Sequence, residues 1–436
     1  MANAQTNALK VAIAGLGTVG AGTVQVLGEQ ADLLRQRAGL PIEVTAVSAR
    51  DRNRDRGIDL SSFTWFDDAA QMAATADADV VVELVGGSNG PAKAIAEAAL
   101  NSGRHLVTAN KALIAHHGTD LAALAEKNDV QFNYEAAVAG GIPIIKSLRE
   151  GLTANRVHRV AGILNGTANY ILTRMHEEGL DFGEVLSDAQ ELGYAEADPS
   201  FDIDGVDAAH KLAILASLAF GIPVDIDAVH VEGIRNINAV DMVFADELGY
   251  RIKLLGIAKR TENGIEQRVH PCLIPADAAM ANVNEAFNAV EVECDFADTV
   301  IHVGPGAGAG PTASAVVADI VDIARGTRVP AFGVNAGALT EQPRVPMSDH
   351  VGRYYIRLDV MDKAGVFAGI ANALRDHDVS MDSVLQRGHA PGEAVPLVIT
   401  LHENREANMV AALDQITSLD SVLGEPVVIR IEMLPG

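Results

Sequence analysis

The sequence predicts an α/β protein with three parts: a doubly wound parallel sheet, an α+β middle, and a small ferredoxin-like βαββαβ unit. Three observations carry this reading. Strand-like and helical runs alternate from Leu9 to about Tyr134, a GxGxxG turn follows the first strand, and a separate βαββαβ order begins after His350. Alternation of the first kind implies parallel strands joined by right-handed crossovers.

In the first part, Val11–Ala14, Val44–Val47, Val80–Val85, His105–Thr108 and Gln131–Tyr134 read as strands. The third is apolar at nearly every position, as expected of a strand covered on both faces. Pro91–Leu100 reads as a helix, with proline in its first turn and Gly103 just beyond its end. The middle is less regular. Asp181 and Glu184 form a capping-box pattern that opens a helix ending at Gly193, and a second helix spans Gly205–Phe220. Gly337, Pro343 and Pro346 mark residues 335–349 as a linker. The last part reads as strand Tyr354–Val360, helix Gly365–Arg375, strands Met381–Gln386 and Val395–Leu401, helix Glu406–Thr417 and strand Val427–Ile431.

A chain of 436 residues is long enough for two or three domains. With 48% hydrophobic and 21% charged residues it is an ordinary globular composition. The formal charge of -25 opposes nucleic acid or an anionic membrane as a partner. Local backbone dipoles still permit a small anionic ligand. Cys272 and Cys294 form no disulfide framework, which points to a reducing compartment. Met1–Lys10 is polar, without the apolar core of a secretory signal. Leu212–Phe220, the most apolar helix candidate, is too short to cross a bilayer. The expected location is cytoplasmic.

Gly15-Leu16-Gly17-Thr18-Val19-Gly20 follows a strand and opens a helix, the Rossmann-type context for a dinucleotide. The first glycine permits the turn, the second admits the pyrophosphate, and the third allows helix and strand to pack closely. Arg50 stands near the end of the second strand, where a ribose 2′-phosphate would be received. This favours NADP over NAD, although a solvated loop cation is an equal reading of Arg50. Thr108 and Lys111 end the fourth strand, on the side where such sheets collect ligands. Lys111 is there either a surface charge or a group facing cofactor and substrate.

Asp207 and Lys211 lie four residues apart, hence on one helix face. An exposed ion pair is the bland reading. Val206, Ala208, Ala209, Leu212, Ala213 and Ile214 make that helix apolar almost all round, however, and a buried pair costs several kcal/mol in desolvation. A functional pair fits better: a lysine that donates a proton, and a carboxylate suited to a cationic amino group. The run Gly304–Thr312 is a flexible connector or a second turn whose backbone touches cofactor. The histidines lack zinc-ligand spacing, and no Ser-His-Asp arrangement or GxSxG is present.

Taken together, these residues resemble the homoserine dehydrogenase family. The likeness spans the Rossmann opening, Thr108-Ala109-Asn110-Lys111-Ala112, the Ile163-Leu164-Asn165-Gly166-Thr167 stretch, and Gly193-Tyr194-Ala195-Glu196-Ala197-Asp198-Pro199. It continues through Asp204–Lys211 and Gly304-Pro305-Gly306-Ala307-Gly308. The C-terminal unit, with Asp362-Lys363-Ala364-Gly365-Val366 after its first strand, resembles an ACT domain.

The resemblance implies NAD(P)-dependent interconversion of L-aspartate 4-semialdehyde and L-homoserine, in threonine, methionine and isoleucine biosynthesis. It implies Lys211 as proton donor, Lys111 at the cofactor–substrate junction, Glu196 and Asp207 on the substrate, and Gly193 against the cofactor. It also implies a sodium ion on Glu135, Val138, Gly140 and Ile142, largely through carbonyls, threonine as an ACT effector, and a homodimer or homotetramer. The domains expected are 1–134 for the dinucleotide, completed by a returning segment 311–340, then 135–310 for substrate and dimerisation. The linker 335–349 and the ACT domain 350–436 follow. A non-catalytic NADP-binding amino-acid sensor is the alternative. Aspartate-semialdehyde dehydrogenase would need an activated cysteine, and neither Cys272 nor Cys294 has a cationic or helix-N-terminal setting.

Overall fold

The computed structural model describes residues 8–387 and 392–434. The polar start through Asn7 lies outside the described residues, as does the end of the C-terminal unit. The chain divides into two compact units. The first comprises the chain up to Leu164 with Ala209–Val229 and Asn288–Gln342, and the second Asn165–Ala208, His230–Phe287 and the chain from Pro343.

The first unit is built on six parallel strands: β1 (Leu9–Ala14), β2 (Ile42–Ser48), β3 (Thr64–Phe66), β4 (Val80–Glu83), β5 (His105–Thr108) and β6 (Phe132–Asn133). Their order is β3-β2-β1-β4-β5-β6, so the direction of winding reverses between β1 and β4. That reversal opens a crevice at the carboxyl ends of these two strands. Val11 faces Val44 on one side and Val80 on the other. All four residues of β4 are buried, which is why its sequence lacks alternation. The three-residue edge strand β3 is the one the sequence reading did not contain.

Helix Ala309–Ala324 returns to this sheet from far along the chain and packs on helix Thr18–Glu29. Val316 and Ile320 share a core with Val11, Ile13 and Val80. The same unit holds strands Thr299–Pro305, Phe287–Cys294 and Val157–Ile163 side by side in that order, with Ala289 opposite Ile163.

The second unit is centred on a long antiparallel hairpin, Tyr250–Thr261 with Gly264–Pro275. Pro343 and Val345 from the expected linker are hydrogen-bonded to Ile265, which fixes that stretch to the hairpin. Strand Val422–Ile431 runs parallel to Gly264–Pro275, with Cys272 opposite Arg430. Beyond it lie Val351–Met361, Ala394–Arg405 and Met381–Gln386. The four C-terminal strands thus stand in the order fourth, first, third, second, the ferredoxin-like arrangement. Helices Val366–Asp376 and Glu406–Thr417 cover one face, with Ile370, Leu374, Met409 and Ile416 in one core with Ile356 and Leu358. The helix Phe182–Glu191 carries the capping box expected from Asp181 and Glu184. No helix among the described residues is long and apolar enough to cross a membrane.

Candidate functional site

Each glycine of the first loop meets the surroundings its role requires. Gly15 has φ +98°, and a Cβ there would fall 2.5 Å from the Leu84 carbonyl oxygen. A Cβ on Gly20 would fall 1.9 Å from the Gly15 carbonyl, whereas one on Gly17 would meet nothing within 4 Å. The first and third positions are therefore closed by protein, and the second is open to a ligand. Helix Thr18–Glu29 starts directly behind, with Thr18 and Val19 in its first turn, and Gly17 makes no side-chain cap bond. The positive end of that helix is thus free to meet an anion.

A cleft of about 520 Å³ opens at this loop, with Gly15, Gly17, Ser48, Arg50, Arg54 and Arg56 among its lining. Arg56 is committed to the main chain, donating to the Leu16 carbonyl (3.0 Å) and the Arg54 carbonyl (2.7 Å). Arg50 and Arg54 are exposed on the cleft wall. The sequence reading named Arg50 and overlooked Arg54, four residues further on.

Across the crevice, Glu83 ends β4 fully buried. Its Oε1 accepts from the Val85 and Gly86 N–H groups, and the Thr108 hydroxyl donates to its Oε2 at 2.6 Å. Thr108 Oγ1 also accepts from the Asn110 N–H (3.0 Å), and Asn110 caps the next helix by accepting from the Leu113 N–H. Lys111 is the first residue of that helix. A carboxylate inside an apolar strand was the available signal for Glu83, since buried charge requires partners.

Lys211 belongs to the first unit and is only 8% exposed. Its ammonium donates to the Leu164 carbonyl at 2.6 Å. The same carbonyl accepts from Asn288 Nδ2 at 3.1 Å. Gly306 lies directly on Asn288, since a Cβ there would stand 2.1 Å from the carboxamide carbon. Gly304 ends the preceding strand, beside Ile142.

The loop expected to hold sodium also lies in this unit. Ala139 and Gly140 are successive left-handed residues, φ 56° and 51°, which curl it tightly. Glu135 directs its carboxylate away from a metal role, accepting from the Ile145 and Lys146 N–H groups, each at 2.9 Å. Burial and the neighbouring Asp319 push that carboxyl up to about 7, against those two bonds. The Ile142 carbonyl already accepts from the Ile144 N–H at 2.8 Å. A cation here would be held by neutral main-chain oxygens, a donor set that suits a hard ion.

The second unit carries the remaining expected residues. Asp207 is 3% exposed. Asn165 Nδ2 donates to both Asp207 and Asp202 at 2.8 Å, while Asn165 Oδ1 caps helix Gly166–Glu178 through the Ala168 N–H. One carboxamide thus fixes two carboxylates to a helix start. Gly193 and Glu196 lie in an exposed loop, where Gln190 donates to the Glu196 carbonyl. Among the described residues, one group of three ligating side chains could hold a metal: His270, Cys272 and Glu432 in this unit. Arg268 already donates to the other two members, His270 Nε2 (3.0 Å) and Glu432 (2.6 Å). Burial raises the Cys272 thiol well above its ordinary range, so it is no activated nucleophile.

The winding order, the glycine loop and the open helix end together define a Rossmann-type dinucleotide-binding protein. Comparison with known proteins narrows this class. Residues 15–135 match the family model for the homoserine dehydrogenase NAD-binding domain, 143–321 that for homoserine dehydrogenase, and 354–420 that for the ACT domain. The chain is 46% identical to a homoserine dehydrogenase of Pseudomonas aeruginosa, over 98% of this chain and 99% of the relative. A homoserine dehydrogenase of Neisseria gonorrhoeae is 44% identical, with the same two coverages. The crystal structure of a homoserine dehydrogenase from Thiobacillus denitrificans superposes with a TM-score of 0.93 at 44% identity, covering 98% of this chain and 99% of that one. A hyperthermophilic archaeal homoserine dehydrogenase solved in complex with NADPH has a TM-score of 0.62 at 26% identity, covering 72% and 97%. The chain belongs to the homoserine dehydrogenase family, and it is an oxidoreductase with a nicotinamide-binding domain and an ACT domain.

Proposed function

We propose that Lys211 is the proton donor in reduction of L-aspartate 4-semialdehyde to L-homoserine, and the base in the reverse direction. The observation that carries this is a lysine sunk in an apolar helix with its ammonium donating to the Leu164 main-chain carbonyl. A bound reduced nicotinamide supplies the hydride. The Lys211 ammonium, in a dry site, would stabilise the negative charge that develops on the substrate's carbonyl oxygen and transfer its proton to that oxygen. Lys111, at the first turn of its helix, assists at the junction of cofactor and substrate.

Asp207 and Glu196 receive the amino and hydroxyl ends of the substrate. Asp207 is suited to this because it is buried and Asn165 holds its carboxylate in place. The pyrophosphate would be held by Gly15, Gly17 and the first turn at Thr18, Val19 and Gly20, with Thr108, Gly193, Gly304 and Gly306 contributing to the cofactor site. Arg50 would receive a 2′-phosphate, which makes NADP the preferred cofactor with NAD as the second. A sodium ion would be held by main-chain oxygens at Glu135, Val138, Gly140 and Ile142. The ACT domain binds threonine as an effector, and the enzyme works in the cytoplasm as a homodimer or homotetramer.

Initial rates of homoserine oxidation with NADP and with NAD, each with and without threonine, test this reading. Homoserine-dependent reduction of NADP, faster than that of NAD and altered by threonine, is the expected result. Binding of NADP without any turnover would instead identify a sensor.

A further inference from the structure

Asn288 is 1% exposed, and its two polar atoms are treated very differently. Nδ2 donates to the Leu164 carbonyl, whereas Oδ1 is buried with no partner. Turning the carboxamide over would set its oxygen 3.1 Å from the carbonyl oxygen, so the Leu164 bond alone dictates its orientation. A buried acceptor left unpaired opposes folding, so this asparagine is a poor choice for stability. Gly306 presses on the whole carboxamide: a Cβ there would lie 2.1, 2.3 and 2.3 Å from Cγ, Nδ2 and Oδ1. Gly140 backs Gly306 in turn, since a Cβ on Gly140 would meet the Gly306 carbonyl oxygen at 2.5 Å. The amide is therefore clamped on one side by the glycine turn and aimed on the other at the carbonyl that holds the Lys211 ammonium.

We propose that Asn288 is a positioning residue for Lys211, fixing the Leu164 carbonyl and tuning, through that shared acceptor, how tightly the lysine keeps its proton. The proposal rests on Lys211 being the proton donor and adds a second residue that touches no reacting atom. One carbonyl that serves two donors gives less to each. With Asn288 present the ammonium is held in place yet remains willing to release its proton. Without it, the carbonyl favours the charged lysine more strongly and is free to tilt.

The test is the pH profile of kcat for homoserine oxidation, where the lysine acts as base and the rate rises as it deprotonates. Asn288→Ala is expected to lower kcat about tenfold at neutral pH, as loss of one orienting bond does. Its NADP affinity should stay within about twofold and its rising limb should move to higher pH. Asn288→Asp places a carboxylate beside the ammonium and should move that limb up by about one unit or more. Lys211→Ala is the control: persistence of the wild-type limb there would remove the lysine, and the reading beneath the proposal with it. If Lys211→Ala abolishes the limb while Asn288→Ala, folded and binding NADP, keeps both wild-type kcat and wild-type limb, the role of Asn288 alone is overturned. Should Asn288→Asp not fold, Asn288→Ala decides by itself.

Discussion

The two parallel-to-mixed halves of this protein handle buried polarity in opposite ways. In the dinucleotide-binding sheet, polar groups gather at strand ends: Glu83, Thr108 and Asn110 stand where β4 and β5 stop, and the strand interiors are aliphatic. In the second unit, charge is buried on the strands as ion pairs. Arg430 donates to Glu232 at 2.8 and 2.9 Å and also contacts Glu406, and Arg268 donates to Glu266 and Glu432. Arg357 and Tyr355 likewise converge on Asp241. Burial opposes charge on Glu232, but its bonds from His230 and Arg430 outweigh it and hold the carboxyl well below its ordinary range. The first arrangement ties polar groups to one another and to the turns that follow the strands. The second fastens protein to protein, joining the ACT strand Val422–Ile431 to Glu232 and to the hairpin strand beside it.

The comparison is most sharply broken by Arg430→Met. It leaves the buried Glu406 carboxylate without its arginine, and denaturant unfolding should show a loss of about 3–5 kcal/mol. The matching change at a strand end, Thr108→Val, removes two neutral-donor bonds and should cost about 1–3 kcal/mol. Equal costs would mean that a buried ion pair and a strand-end hydrogen-bond cluster are energetically alike.

Lys253 sharpens the contrast within the second unit, since its partners are neutral: the Val283 carbonyl (2.7 Å) and the side-chain oxygens of Asn169 and Asn284. Burial, aided by Arg251, lowers its pKa to about 8. Between about 8 and the ordinary value of about 10.4 the unfolded chain binds more protons, so this lysine makes stability rise with pH across that window. The slope approaches about 1.4 kcal/mol per pH unit, and the component should be absent in Lys253→Met. An identical pH–stability curve in the two proteins would contradict the assignment.

The smallest effect concerns the exposed wall of the nucleotide cleft. Arg50→Ala should lower kcat/KM for NADP several-fold with little change for NAD. Retention of the original ratio would transfer the 2′-phosphate to Arg54 or away from this wall.

What was legible in the sequence follows the same division. Five of the six parallel strands were readable to within a few residues, as was the βαββαβ order of the C-terminal unit, whereas Val157–Ile163, Phe287–Cys294 and Thr299–Pro305 were not read as strands. The three residues Thr64–Phe66 are too few to show any period. Lys211 stood out because a cation within an apolar helix is expensive. Asn165 and Asn288 did not, since an uncharged amide in a short polar stretch looks like any turn or cap. Their meaning comes from partners far along the chain: Asp207 is 42 residues from Asn165, and Leu164 is 124 from Asn288. Arg268 and Arg430 were equally silent, because a charged residue on a strand ordinarily faces solvent, and it takes the pairing of Cys272 and Leu273 with Arg430 and Ile431 to bring these strands together.

The role of Lys211 is most directly tested by turnover of Lys211→Ala with saturating aspartate semialdehyde, measured beside its NADPH affinity. Loss of a positioned acid predicts a fall in kcat of about 10²- to 10⁴-fold with NADPH binding nearly unchanged. Wild-type turnover in a folded, NADPH-binding Lys211→Ala protein would contradict it.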